Sequence, residues 1–83
     1  MGSIIVIYKD AYYTFQCVSF TNETCAVNTV VKYLRNIDIY DKIFQQELTE
    51  ADNIQTLIDI INDYNIEVIH IYKVFDVNPK EIK

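Results

Sequence analysis

The stretch Tyr12–Asn36, YYTFQCVSFTNETCAVNTVVKYLRN, changes its hydrophobic period partway along. Its first part alternates, with Tyr13, Phe15 and Cys17 on one side and Thr14 and Gln16 on the other, as a half-buried strand does. From Asn22 onward the apolar residues Ala26, Val27, Val30, Val31 and Leu34 fall on one stripe of a helix. Thr21 or Asn22 is placed to cap that helix, Glu23 to sit in its first turn, and Lys32 and Arg35 in its last. Asn36 follows as a candidate left-handed C-terminal residue. A strand running straight into a helix, in a chain this short, predicts an α+β fold.

The flanking segments extend that reading. Before it, SIIVIY (Ser3–Tyr8) is β-branched and apolar on both faces, which suits a central strand. A short turn at Lys9-Asp10-Ala11 would join the two strands into a β-hairpin. After it, IDIYDKIFQQEL is ambiguous: Ile37 and Ile39 alternate, while Tyr40, Ile43, Phe44 and Leu48 share one helical face. A short helix over about 39–48 is the favoured reading. Thr49-x-x-Asp52 resembles a capping box, opening a helix over 50–64 whose apolar stripe is Ala51, Ile54, Leu57, Ile58, Ile61 and Tyr64, with Asn65 ending it. IEVIHIYKVFDV is a third strand, broken at Asn78-Pro79, with 79–83 as a frayed tail. The expected architecture is a three-stranded, mainly antiparallel sheet in the order ββααβ or ββαααβ. Its helices pack on one face, and the third strand lies beside the first.

All this fits one domain of 83 residues, half of them apolar, with seven Tyr and four Phe. Between Ser3 and Asn78 there is neither Gly nor Pro, so turns fall to Asn and Asp. The apolar runs are too short to cross a membrane. Lys9 and Asp10 cut short any leader peptide, and Val6 stands where a myristoylation signal wants Ser or Thr. Residues 1–3 read equally as a cloning remnant. Asn22-Glu23-Thr24 matches a glycosylation pattern that has no meaning without secretion. Cys17 and Cys25 are too few for a disulfide framework and lack metal spacing, so both read as buried small hydrophobes in a reducing cytosol.

The net charge of −5 is unevenly placed. Residues 41–67 hold seven acids against Lys42 alone, while 1–40 are balanced. Such a chain is a poor direct binder of nucleic acid or of anionic membranes. Asp59 and Asp63 lie one helical turn apart, a repulsive pair in an isolated helix, and Asp63 falls where the helix dipole disfavours negative charge. Stability alone would prefer lysine there. The expected partner-binding residues are therefore Asp41, Glu47, Glu50, Asp52, Asp59, Asp63 and Glu67, facing a basic surface on another protein, including a nucleic-acid-binding site in which the carboxylates would stand in for a row of phosphates. In format, a compact acidic domain without catalytic motifs is similar to the small inhibitors encoded by phages and mobile elements, by strategy and not by sequence signature. In that setting it would work in the host cytosol, without a cofactor.

Two other readings stand beside this one. Tyr8, Tyr12 and Tyr72 on the strands could form a sheet-face interface, making the protein a homodimer with a small-molecule pocket between copies. Cys17 and His70, if on adjacent strands, could form the nucleophile and base of a small enzyme, although no nucleophile signature surrounds Cys17. No cluster has the ligand number or spacing of a metal site.

Overall fold

A computed structural model describes residues 2–37, 39 and 41–75, with the backbone alone at Phe75. The elements are β1 (Gly2–Lys9), β2 (Phe15–Phe20), α1 (Glu23–Arg35), α2 (Lys42–Glu50), α3 (Ile54–Asp63) and β3 (Ile69–Phe75). The sheet order is β2-β1-β3 and both pairings are antiparallel. The expected α+β architecture holds, with β1 central and β3 beside it. The suggested break at Asn78-Pro79 and the tail at 79–83 lie outside the described residues.

Register assigns the two faces. Directly opposed residues share a face. One row is Tyr8, Gln16 and Ile69; the next is Val6, Val18 and Ile71; the third is Ile4, Phe20 and Lys73. Val6 and Ile69 are buried against the helices, so these rows form the covered face. The other face presents Ser3, Ile5 and Ile7 from β1, Phe15, Cys17 and Ser19 from β2, and His70, Tyr72 and Val74 from β3. Among the described residues no element packs on it.

The core between the layers is wholly apolar. Ala26, Val27, Val30 and Leu34 of α1 meet Phe44 and Leu48 of α2, Ile54, Leu57, Ile60 and Ile61 of α3, and Val6, Ile66 and Ile69. Among the described residues no polar one is buried with them. α1 lies over β1 and β2, α3 lies over β3, and α2 touches only the other two helices. The Tyr33 hydroxyl donates to the backbone oxygens of Lys9 (2.7 Å) and Val68 (3.3 Å), fastening the end of α1 where β1 meets β3. The Lys9 N–H donates to the Val68 oxygen at the same place.

Local chemistry explains the boundaries and corrects several expected ones. The hairpin turn is Asp10–Thr14, longer than Lys9–Ala11. The Asp10 side chain accepts the N–H groups of Tyr12 and Thr14 and the Gln16 amide. Tyr13 takes a left-handed backbone (φ 62°) and so belongs to the turn, not to the strand. Asn22, Asp41 and Asn53 each cap a helix by accepting the N–H three residues on. The second helix therefore spans 42–50 and not 39–48. The third starts at 54, because Asn53 rather than Thr49 is its cap. Thr49 is held inside α2 by its hydrogen bonds to the Gln45 oxygen and the Arg35 guanidinium. Asn36 stays right-handed (φ −97°), whereas Asn65 is left-handed (φ 52°). Ile43, expected on the buried face of the second helix, is 66% exposed, because Phe44 and Leu48 already fill that side.

Candidate partner-binding surface

The acidic residues occupy α2, α3 and the turns that bracket them. Asp41 is the α2 cap, its carboxylate accepting the Phe44 N–H at 3.0 Å. Glu47 and Glu50 lie further along α2, and Glu50 accepts the Gln46 amide at 3.2 Å. Asp52 sits between the helices and accepts the Asn53 amide, so it is not on the α3 face with Asp59 and Asp63 as expected. Asp59 accepts the Gln55 amide at 3.1 Å, and Asp63 is the exposed last residue of α3. Glu67 is exposed between α3 and β3.

These partners are amides and backbone N–H groups, which orient a carboxylate without cancelling its charge. Two of the basic residues nearby, Arg35 and Lys73, bond elsewhere. The Arg35 guanidinium reaches Gln45 (3.3 Å) and Thr49 (2.8 Å), and the Lys73 ammonium reaches the Gln55 oxygen at 3.5 Å.

Tyr64 closes the joint between α2 and α3. Its ring meets Phe44 edge-on, with centroids 5.0 Å apart. Its hydroxyl is held above the ordinary tyrosine value, by burial first and then by the Glu47 carboxylate, with Asp41 and Asp63 adding to the effect. Acids at the cap of α2, in the middle of α2 and at the end of α3 thus all act on this hydroxyl, Glu47 most of the three. The sequence reading counted Tyr64 only as a stripe residue and missed this role. On the same flank of α2 as Glu47 and Glu50, Ile43 projects an apolar side chain into the acidic surroundings. It was missed because the helical stripe was read one residue too wide.

The other candidates are distributed differently. Tyr8 is on the covered face, edge-on to Tyr33 with centroids 5.4 Å apart, so it is core-facing and not part of an open sheet surface. Tyr12 is 87% exposed, in the turn and not on a strand. Tyr72 is 52% exposed on the open face. Cys17 and Cys25 are both exposed and not buried as expected, Cys17 because its strand turns it to the uncovered face. Cys17 and His70 are not on adjacent strands, because β1 runs between them. Both pair with Ile7, which leaves their Cα atoms about 10 Å apart with an isoleucine in between. That separation prevents a direct thiol–imidazole hydrogen bond. Among the described residues no group of three or more His, Cys, Asp or Glu could hold a metal ion, and no helix is long and apolar enough to cross a membrane.

No protein-family model, no curated protein and no solved structure matches the chain.

Proposed function

We propose that the protein is a non-enzymatic binding module that uses the Asp41–Glu67 surface to occupy a basic site on another protein, acting as its inhibitor. What carries the reading is that these carboxylates are held by amides and backbone N–H groups and, among the described residues, by no Lys or Arg, with the exposed Ile43 on the same flank of α2 as Glu47 and Glu50. Charge supplies steering and register, and a desolvated apolar anchor supplies much of the affinity in such contacts. The surface combines both. Asp59 and Asp63 extend it along α3 at about 6 Å spacing, close to the spacing of a phosphate row. A nucleic-acid-binding groove is therefore one kind of basic site that it fits.

The test is affinity capture from a lysate of the native host at low and high salt, comparing the unaltered protein with Asp59→Lys/Asp63→Lys and with Ile43→Ala. A partner retained at low salt, released by high salt and lost with the charge reversal is the expected result. Equal recovery of that partner by the wild type and the charge-reversed variant would sink the reading.

A further inference from the structure

We propose that the outer edge of β2 is a homodimer interface, along which two copies join their sheets antiparallel across a two-fold axis beside Cys17. This is independent of the acidic surface, which lies on other elements.

Three observations lead there. First, β2 is an edge strand, and its sequence FQCVSF carries no charge, proline or glycine to discourage pairing. The other edge, β3, carries Lys73. Second, the outward groups of β2 can be identified. The Asp10 N–H donates to the Thr14 oxygen at 2.9 Å, continuing the β1–β2 register. Alternation along an antiparallel ladder then turns Gln16, Val18 and Phe20 toward β1, and it turns the N–H and C=O of Phe15, Cys17 and Ser19 outward. A two-fold axis at Cys17 sets Phe15 against the partner's Ser19 and Cys17 against the partner's Cys17, so every outward group on these residues is used. Third, an apolar cleft of about 270 Å³ runs beneath the β2 edge, lined by Val18 and Phe20 of β2 and by Thr29, Lys32, Tyr33 and Asn36 of α1. The covered-face side chains of a second β2 would enter it.

The dimensions agree. α1 lies over β1 and β2, so adding a second β2 brings the two α1 axes about 10 Å apart, the spacing of packed helices. α1 and β2 are both about 20 Å long, and α1 runs back from the end of β2, so the axis passes near Thr29, a small residue that allows close approach. A contact about 20 Å long and two layers deep buries on the order of 600–800 Å² per protomer, at the lower edge of a standard interface. No carboxylate lines the cleft, and Asp59 and Asp63 are on α3 above β3, at the far side of each copy. Dimerisation therefore brings two −5 chains together at their least charged edge.

Sedimentation across a wide concentration range, combined with mild oxidation by copper phenanthroline, tests this. The opposed Cys17 Cα atoms would be about 5.5 Å apart, within disulfide reach. The expected result is a reversible dimer that persists in high salt, is unchanged by Asp59→Lys/Asp63→Lys, and crosslinks in wild type and in Cys25→Ser but not in Cys17→Ser. Ser19→Pro removes an outward N–H without touching the β1 ladder, and should weaken the dimer about tenfold or more with the circular dichroism spectrum retained. A monomer at the highest concentration, a crosslink through Cys25, or a folded Ser19→Pro that dimerises as wild type would each overturn the proposal. If Ser19→Pro does not fold, the wild-type sedimentation and the cysteine pattern still decide.

Discussion

With no glycine or proline between Ser3 and Asn78, single asparagines and aspartates set nearly every chain reversal. Asn53 shows what one such residue does. Its Oδ1 takes the Thr56 N–H at 2.9 Å and the Thr56 hydroxyl at 3.1 Å, while Glu23 of α1 takes the Ile54 N–H at 3.3 Å. Asn53→Ala should lower stability by about 1 kcal/mol in denaturant titration with the m-value unchanged. Asp10 makes a pH-dependent contribution. Its carboxyl is held below the usual value, chiefly by the Gln16 amide and then by the Thr14 N–H. A depressed carboxylate stabilises the fold above its unfolded value, and that contribution is lost as pH falls through the folded one. Asp10→Ala should therefore lower the melting temperature at neutral pH and shrink the further loss seen below about pH 4. A wild-type acid limb that Asp10→Ala leaves unaltered would contradict this. Asn22 was legible as one of two cap candidates and Asn65 as the end of α3, because capping and chain reversal depend on residue type, but residue type alone also pointed to a left-handed Asn36, which is right-handed. The left-handed Tyr13 was not legible, because only the closure of the Asp10–Thr14 turn imposes it.

At the level of elements, the sequence was clearest where one periodicity ran uninterrupted. β1, β2, α1 and the pairing of β3 with β1 were all readable. The α2–α3 boundary was not, because Thr49-x-x-Asp52 and Asn53 are competing start signals only a few residues apart. A tertiary contact, Arg35 to Thr49, keeps the first of them inside α2. α3 ends without a basic residue in its last turn. Asp63→Lys should relieve both the repulsion with Asp59 and the unfavourable dipole, raising stability by a few tenths of a kcal/mol in thermal unfolding while lowering partner capture. A gain in one quantity with a loss in the other separates a binding role from a structural one. Tyr33→Phe removes the tie from α1 to Lys9 and Val68, and should cost about 1 kcal/mol in the same measurement.

Across the whole molecule, charge and hydrophobicity are sorted by position. The helices enclose an entirely apolar core, the 41–67 region carries the acids, and β2 is uncharged. The acidic segment was legible by counting, but which of its acids act on Tyr64 depends on how α2 packs on α3 and could not be counted. Phe44 lies at that joint, fully buried and against Tyr64. Phe44→Ala should cost about 3–5 kcal/mol. Against the roughly 4–12 kcal/mol expected of a domain this size, that is enough to leave a measurable unfolded fraction at physiological temperature, read by hydrogen exchange.

The bare edge of Phe15–Phe20 carries a hazard as well. An uncharged edge strand carrying Phe15, Val18 and Phe20 with no gatekeeper makes a segment prone to stacking into fibrils once the α1 flank comes away. Agitating the protein near its melting temperature should raise thioflavin fluorescence, and Val18→Lys should suppress it. Long-term storage of this molecule would then be limited by what one short strand does when briefly uncovered.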